Sequence, residues 1–326
     1  MLAGCISAPR TIELIDVPEP ILRQTDRAGG AGQIIFQPHL GCLCGSDMLY
    51  FEANDTEWPP VVGHSLHEMI GTVVESTGSR FKAGDQVLCI PDRQLGLFER
   101  FVADEDQAVA IDARLSQEQA VLSQPLGTVI CGLKKIPNPV DMDVAVVGQG
   151  PIGQLFCAAF RNLGARQIIA IDRLASRLTV SPQMGATATI NASRQDPVEA
   201  IKELTDGAMA DLVVEAVGHH DQALNLCIDL CCHRGRILSF GVLPEQGSIH
   251  LRNLLLKNLT VHMTIGPDFQ RDFPLAMRWI AEDRLDISPI ITHRFALAQI
   301  QEAFDTFHDR RDGALKVFVQ FPEKSF

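Results

Sequence analysis

The stretch that most constrains the fold runs from Val144 to Asp172 and reads VAVVGQGPIGQLFCAAFRNLGARQIIAID. A short apolar run leads into Gly148, Gly150 and Gly153, a helical pattern follows, and a second apolar run ends at the aspartate. Glycines at these positions allow a tight turn and a close approach to a pyrophosphate, and the amides at the start of the helix point toward that anion. The stretch therefore predicts a strand–turn–helix–strand unit that binds a dinucleotide, rather than a glycine turn without a ligand.

The acid at the end of the second strand indicates which dinucleotide is bound. Asp172 follows Gly153 by about 20 residues, the spacing at which an acid meets the adenosine ribose. A carboxylate accepts hydrogen bonds from the ribose hydroxyls and repels a 2′-phosphate, so we predict NAD rather than NADP, although Arg173 beside it weakens that preference. The predicted cofactor-binding residues of this unit are Gly148, Gly150, Pro151, Ile152, Gly153, Asp172 and Arg173.

Composition narrows the possible partners. A formal net charge of −12 argues against binding to nucleic acid, and no apolar run reaches the length of a membrane span. The N-terminus lacks a basic segment followed by an apolar one, so it does not resemble a secretory signal. Nine cysteines, an odd number, are typical of a reducing compartment in which thiols stay free or bind metal. We expect a cytoplasmic protein that acts on a small molecule.

The periodicity divides the chain into two parts. Before residue 115, short strands alternate with glycine turns, which indicates a β-rich domain. Ser116 and Gln119 form a capping-box pattern ahead of an apolar helix, and we expect a second helical stretch from Pro125 to Leu133. Beyond it, strands alternate with helices, which predicts a parallel, doubly wound sheet and so an α/β fold.

The β-rich part contains two groups of soft metal ligands. Cys42 and Cys44 end one strand, and His64, His67 and Glu68 precede another. We expect one of the two cysteines to be structural and favour Cys44 as the ligand. The spacing from the histidines to the following strand favours His67 over His64, because the strand fixes which residue faces the site.

These motifs together resemble those of a known family. Cys-Gly-Ser-Asp at 44–47, His-Glu-x-x-Gly at 67–71, Gly-Asp-x-Val at 84–87, the dinucleotide unit and a tail resemble the medium-chain zinc-dependent dehydrogenases, nearest to the sorbitol, threonine and sugar dehydrogenase branch. The resemblance covers nearly the whole chain. It implies a GroES-like catalytic domain at 1–122, completed by 267–326, and an NAD-binding Rossmann domain at 123–266. The active site would lie in the cleft between the two domains.

The resemblance also assigns roles around a catalytic zinc ion. Cys44 and His67 correspond to zinc ligands, Ser46 to the hydroxyl that relays the substrate proton, and Glu68 to a carboxylate that ligates the metal or exchanges with water. Where the family supplies a third ligand as Cys or Glu, this chain has Gln124. An amide oxygen is a weaker, neutral ligand, which predicts a looser zinc site.

Other positions depart from the family or extend the site. Leu49 stands where many members have the histidine that ends the proton relay. Tyr50 resembles a substrate-lining residue, and so does Phe98, for which core packing is an alternative role. The segment between Cys89 and Phe98 has no cysteines, so the lobe that holds a structural zinc in many members is absent.

The resemblance extends the predicted cofactor site beyond the glycine loop. Lys316 is expected either to approach the pyrophosphate or to be an ordinary solvated lysine. The positions that correspond to contacts with the nicotinamide are Thr128, Val217, Phe240, Gly241 and Val242.

The resemblance implies an oxidoreductase with one catalytic zinc ion per chain. The expected reaction is hydride transfer between a secondary alcohol, polyol or sugar-like, and NAD, and the expected assembly is a homodimer or homotetramer. One alternative is a zinc-free NADPH-dependent quinone or enone reductase of the same fold. Another is a nucleotide-binding relative that has lost turnover, an alternative motivated by Gln124 and Leu49.

Overall fold

The computed structural model describes residues 1–22, 32–52, 62–218 and 221–322. Its contacts divide the chain into two compact units. The first comprises residues 1–124, 269–281 and 291–326, and the second comprises residues 125–268 and 282–290. Among the described residues, no helix is long and apolar enough to cross a membrane.

The first unit is built on an antiparallel sheet with one parallel pair. The strands follow the order β14-β15-β3-β4-β5-β7, β6 pairs with β3, and β1 and β2 form a separate hairpin. The strands of this unit are β1 Leu2–Ala8, β2 Thr11–Asp16, β3 Gln33–Cys42, β4 Glu68–Ser76, β5 Gln86–Cys89, β6 Phe101–Asp104, β7 Ala108–Ala110, β14 Ile291–Ala296 and β15 Lys316–Gln320. Its helices are α1 Gly45–Glu52, α8 Phe269–Ala281 and α9 Ile300–Asp309.

Helices close one core against this sheet. In α9, Ile300, Ala303 and Phe304 are buried, and their spacing of three and four residues places them on one face. The ring of Phe304 lies 5.1 Å from that of Phe51 in α1. The tail of the chain thus completes the core of the first unit, because β15 pairs with β3.

The second unit is an α/β fold on a parallel sheet, as the sequence predicts. Its strand order is β10-β9-β8-β11-β12-β13, and every pairing is parallel. The strands are β8 Asp143–Val147, β9 Gln167–Asp172, β10 Ala188–Asn191, β11 Ala210–Glu215, β12 Cys231–Ser239 and β13 Thr260–Met263. Its helices are α3 Pro151–Leu163, α4 Ala175–Leu178, α5 Pro197–Leu204, α6 Asp221–Leu230 and α7 Leu251–Lys257. All of β8 is buried, as expected of a central parallel strand.

One helix differs from the sequence-based expectation. The capping box is present, because the Gln119 amide donates to the Ser116 hydroxyl at 3.3 Å and the Ser116 amide donates to the Gln119 side chain at 2.9 Å. The two expected helical stretches, however, form a single helix, α2 Gln117–Leu133, with Pro125 inside it. Proline removes one backbone hydrogen bond, but its neighbours Leu122 and Leu126 are fully buried and hold the helix together.

Candidate functional site

Three metal-binding side chains meet in the first unit. Cys44 lies between β3 and α1, His67 immediately precedes β4, and Glu68 is the first residue of that strand. One ligand atom from each lies within 4.8 Å of the others. The antiparallel register pairs Cys42 with Glu68, so the ends of two neighbouring strands bring the three side chains together.

A buried aspartate orients this group. Asp47 accepts hydrogen bonds from the backbone amides of Cys44 at 2.8 Å and Leu66 at 3.1 Å, which fixes the segments on both sides of the site. Its Oδ1 lies 3.8 Å from Nδ1 of His67, a distance at which the charges interact without a hydrogen bond. Burial raises the pKa of Asp47, although the charge of His67 partly opposes that shift. The sequence analysis did not assign a role to Asp47, although it belongs to the Cys-Gly-Ser-Asp motif.

The segment that leads to His67 has an unusual backbone. Ser65 and Leu66 adopt positive φ angles of 98° and 60°, although Leu66 stands where the family has glycine. A left-handed conformation costs a residue with a side chain about 1–2 kcal/mol. The structure offsets that cost by burying the Leu66 side chain completely and by bonding its amide to Asp47. The segment thus reaches the ligand position without the glycine.

The electrostatic environment of His67 favours the positively charged, protonated form of its ring. Burial lowers its pKa, but a hydrogen bond with Cys44 and the charges of Cys44, Asp47 and Glu68 raise it more, to about 9. In the described part of the chain, its buried Nδ1 has no hydrogen-bond partner. Thiolate, imidazole and carboxylate are the ligand types that zinc prefers, so the residues fit a zinc ion.

Cys42 and His64, the alternatives to Cys44 and His67, lie outside this group of three donors. Cys42 is fully buried, and burial raises the pKa of its thiol well above the ordinary value. His64 packs edge-on against Tyr50, with ring centroids 3.6 Å apart. Burial lowers the pKa of His64.

The remaining predicted residues of the first unit differ in position and in burial. Ser46 and Tyr50 are four residues apart in α1 and therefore share one helix face. Phe98 packs against the backbone of the loop, because a Cβ at Gly63 would lie 1.6 Å from its ring. Gln124, in α2, is 8% exposed.

The position of Lys316 differs from both sequence-based expectations. The sequence suggested a contact with the pyrophosphate or a solvated side chain, and both expectations are wrong. The side chain is 1% exposed, its ammonium pairs with Glu68, and it donates to the carbonyl of Leu43 at 3.3 Å. Burial lowers the pKa of Lys316, but the charges of Cys42 and Glu68 raise it more, so the net shift is upward.

In the glycine loop of the second unit, the absence of a side chain has a different structural reason at each of the three glycines. Gly148 has φ of 93°, and a Cβ there would lie 2.8 Å from the side chain of Val217. A Cβ at Gly153 would lie 1.8 Å from the carbonyl oxygen of Gly148, so this position serves packing of the helix against the strand. A Cβ at Gly150 would meet nothing closer than the Arg177 guanidinium at 3.9 Å. Of the three, Gly150 is the one whose missing side chain leaves space for a ligand.

The other predicted residues of the loop begin the helix. Pro151 is the first residue of α3, and Ile152 follows it in the first turn. Proline at this position lacks only an amide that the helix does not use. The amides of this first turn therefore stay available to an anion.

Asp172 ends β9 beside this loop. Its carboxylate accepts hydrogen bonds from the amides of Gln149 at 2.7 Å and Leu174 at 2.8 Å. Arg173 is exposed, whereas the guanidinium of Arg177 lies 3.7 Å from the Asp172 carboxylate. Arg177 is a charged residue near the loop that the sequence analysis missed, since nothing in the local pattern marks it.

A buried glutamate organises the loops that follow β11 and β12. Glu215 accepts hydrogen bonds from the amides of Val217 and Gly218, both at 2.8 Å, and from that of Gly241 at 3.1 Å. The sequence analysis missed Glu215, although an acid that ends a buried strand is a usable signal. Of the predicted nicotinamide contacts, Val217 and Val242 are exposed, Thr128, Phe240 and Gly241 are half-buried, and Phe240 packs edge-on against Phe156.

Comparison with known proteins agrees with this geometry. Residues 151–282 match the family model of the zinc-binding dehydrogenase. L-threonine 3-dehydrogenase of Bacillus subtilis (strain 168) is 26% identical over 86% of this chain and 89% of its own length. The chain is thus similar to zinc-dependent dehydrogenases in both comparisons, in line with the resemblance that the sequence motifs indicate.

Solved structures confirm the predicted fold class. Alcohol dehydrogenase TADH from Thermus sp. ATN1 has a TM-score of 0.86 at 24% identity, with 99% of this chain and 100% of that chain covered. Zinc-dependent alcohol dehydrogenase 2 from Streptococcus pneumonia, in its apo form, has a TM-score of 0.85 at 22% identity, with both chains fully covered. Both likenesses concern the GroES-like and Rossmann folds.

Two glycines of the loop in the second unit, Gly150 and Gly153, give a matched pair of variants. We expect Gly153→Ala to lower the free energy of unfolding by about 1–3 kcal/mol, because its Cβ would overlap a backbone oxygen. Gly150→Ala should leave the melting temperature within about 2 °C of the wild type, yet weaken NAD binding about tenfold or more. Thermal unfolding and calorimetric titration with NAD measure the two effects. Equal losses of stability in the two variants would contradict this assignment.

The raised pKa of His67 predicts opposite pH dependences for metal-free and zinc-loaded protein. A raised pKa stabilises the metal-free fold fully below pH 6.5, and this contribution is lost as the pH rises through about 9. It amounts to at most about 3 kcal/mol, since one pKa unit corresponds to about 1.4 kcal/mol. Zinc affinity should instead increase over the same interval, because the proton stops competing for the imidazole.

Thermal unfolding of the chelated protein between pH 6 and 9.5 tests this dependence, with His67→Gln as the control. The chelated wild type should lose stability across the interval relative to the control. A metal-free wild type that runs parallel to His67→Gln would show that His67 does not bind an extra proton.

Proposed function

We propose that this protein is a zinc-dependent oxidoreductase that transfers a hydride between a secondary alcohol, polyol or sugar-like, and NAD. The observation that carries the proposal is the group formed by Cys44, His67 and Glu68, whose ligand atoms lie within 4.8 Å of one another. The glycine loop with Asp172 in the second unit supplies the matching requirement, a place for a dinucleotide. A reducing, cytoplasmic setting, in which Cys44 stays a thiol ready to bind metal, is part of this proposal.

The side chains have distinct roles in this reaction. Cys44 and His67 would hold the zinc, with Glu68 and Gln124 as the candidates for a further ligand. Bound zinc would polarise the alcohol oxygen, and bound NAD would accept the hydride. Ser46 receives the hydroxyl proton. Since Leu49 offers no acceptor, that proton leaves through water or the cofactor ribose.

A secondary alcohol with a polar neighbour is the substrate class that this proposal favours. The relatives named L-threonine 3-dehydrogenase act, by that name, at carbon 3 of threonine, which carries a secondary hydroxyl. In this chain, Tyr50 and Phe98 would line the substrate site. The close contact between Tyr50 and His64 gives one wall of that site an aromatic face with polar edges.

The proposed cofactor is NAD because the negatively charged carboxylate of Asp172 lies at the end of β9. Asp172 keeps its carboxylate beside the glycine loop, where it would repel a 2′-phosphate and accept bonds from the ribose. Arg177 lies near enough to Asp172 to be partly neutralised by it, which reduces its attraction for a second phosphate. The thermodynamic preference should therefore favour NAD by about tenfold or more.

An NAD-coupled screen of alcohols, polyols, aldoses and hydroxy-amino acids tests the proposal. Zinc-loaded protein should reduce NAD with at least one secondary alcohol, and NADP should serve at least about tenfold less well. Quantitative chelation should abolish turnover and added zinc should restore it. Ser46→Ala should lower kcat about 100-fold while leaving zinc content unchanged, because it removes the proton acceptor and not a ligand.

Two results would decide against this function. Turnover that survives complete removal of metal would indicate the zinc-free reductase. Tight NAD binding without turnover on any member of the panel would indicate a relative that has lost catalysis.

We also propose that the protein is a homo-oligomer that associates through the second unit. The strand β13 ends the six-stranded order, so one of its edges has no partner strand within the described chain. Apolar side chains around that edge and on α7 are largely exposed, and large exposed patches of this kind commonly mark protein–protein contacts. The side chains concerned are Leu251, Leu255, Leu256, Met263 and Ile265.

Substitution in this patch tests the assembly. Leu255→Lys combined with Ile265→Lys should convert a dimer or tetramer into a monomer of unchanged fold, because a buried unpaired lysine opposes association. Light scattering coupled to size exclusion measures the mass, and circular dichroism checks the fold. A monomeric wild type, or an oligomer unaffected by both charges, would contradict the proposal.

A further inference from the structure

The buried ammonium of Lys316 is in contact with both halves of the donor group. It pairs with Glu68, the residue after His67, and it donates to the carbonyl of Leu43, the residue before Cys44. Lysine and glutamate are each 1% exposed. The ammonium thus connects the two chain segments that supply the soft ligands.

The strand that carries Lys316 holds this ammonium in place. β15 lies between β14 and β3, and the Leu43 amide donates to the carbonyl of Val317 at 2.9 Å. Val317 and Phe318 are fully buried in the core of the first unit. The stem of Lys316 is therefore fixed at its base, and its charge cannot reach solvent without disrupting the sheet.

We propose that Lys316 is a positioning residue that limits how strongly Glu68 binds the zinc ion, an inference that rests on the proposed metal site. The ammonium occupies one side of the carboxylate and compensates its charge. A neighbouring ammonium compensates the carboxylate charge and repels a second cation, so the paired carboxylate attracts zinc less strongly than an unpaired one would. Lys316 thereby keeps Glu68 beside the metal as a partner that can bind or withdraw, with Cys44 and His67 as the permanent ligands.

Loss of the ammonium has a specific consequence for the metal. Without Lys316, the buried carboxylate of Glu68 would lose this ion pair, and a cation held by Cys44 and His67 would lie close enough to replace it. A buried unpaired charge is strongly unfavourable, so the protein gains more from binding zinc than before. We infer that Lys316→Met binds zinc more tightly than the wild type and adds the Glu68 oxygen to its coordination.

A purely structural role for Lys316 would give a different result. If the ammonium only connects the strands, its removal lowers stability and loosens the positions of both ligand segments. Zinc would then bind less tightly, and the ligand set of the metal would not change. Metal affinity and ligand field therefore separate the two roles, whereas activity alone does not.

The experiment uses the full chain and four variants, Lys316→Met, Lys316→Arg, Glu68→Gln and the double variant Lys316→Met with Glu68→Gln. Zinc affinity is measured by competition with a chromophoric chelator, and Co²⁺ replaces zinc to report the ligands through its visible absorption. Lys316→Met should bind zinc about tenfold or more tightly than the wild type, with Co²⁺ bands shifted by an added oxygen ligand. Lys316→Arg keeps the charge and should resemble the wild type.

The double variant keeps the test decisive if Lys316→Met folds poorly without metal. It carries no buried charge at either position, so its metal-free form should be at least as well folded as Glu68→Gln. Removal of the lysine should change zinc affinity about tenfold less in the Glu68→Gln background than beside the intact carboxylate. Equal effects in the two backgrounds would overturn the inference.

Two outcomes distinguish this inference from the proposed function. Weaker zinc binding by Lys316→Met with an unchanged Co²⁺ spectrum would overturn the role of Lys316 and leave the zinc site intact. Failure of the wild type itself to bind zinc or Co²⁺ would instead remove the metal site and with it the proposed function.

Discussion

The first unit depends on the compensation of negative charge in its interior. Asp47 and Glu68 are buried close to Cys44 in space, and each unpaired buried charge would cost several kcal/mol. Asp47 is compensated by two backbone amides and by the neighbouring His67 ring, and Glu68 by the ammonium of Lys316. The arrangement leaves the thiol and the imidazole as the groups that a further cation can satisfy. The same charges that stabilise the fold therefore define the candidate metal site.

In the second unit, backbone amides are the main hydrogen-bond donors to the carboxylates at the strand ends. Asp172 and Glu215 end β9 and β11, the strands on either side of β8, and backbone amides of the adjoining loops are their hydrogen-bond donors. Each amide carries a fixed partial charge, so these acids order the loops mainly through the backbone, and Asp172 has the guanidinium of Arg177 3.7 Å away in addition. One acid sets the glycine loop and the other sets the loops at Val217 and Gly241. Two acids at strand ends thus order the loops to which the proposed function assigns the dinucleotide.

The sequence predicts features that depend on local spacing. The glycine loop, the parallel sheet and the capping box of α2 follow from residues that are close in the chain, and each is present in the structure. The preference for His67 over His64 also rests on local spacing, because His67 immediately precedes β4 and lies with Cys44 and Glu68. These features could be predicted because each depends on residues that are close in the chain.

Long-range contacts and energetically costly local conformations could not be predicted from the sequence. The pair formed by Lys316 and Glu68 joins residues 248 positions apart, and no periodicity relates them. A lysine at the start of a strand is usually solvated. The expectation of a solvated Lys316 was therefore wrong, as was the expectation that it approaches the pyrophosphate. The continuation of α2 through Pro125 likewise depends on burial of its neighbours and contradicts the propensity of proline.

The segment before His67 has an energetically costly backbone directly beside a predicted functional residue. Gly63, Ser65 and Leu66 all have positive φ, and the hydroxyl of Ser65 is buried without a hydrogen-bond partner in the described part of the chain. Such costs persist only where the surroundings fix the backbone. Here Asp47 binds the Leu66 amide, the Gln94 carbonyl accepts from the Ser65 amide, and Phe98 packs on Gly63. Phe98, a candidate for lining the substrate, is thus also a support for the metal ligand, so a change at this ring reaches the substrate site and the metal site through the same loop.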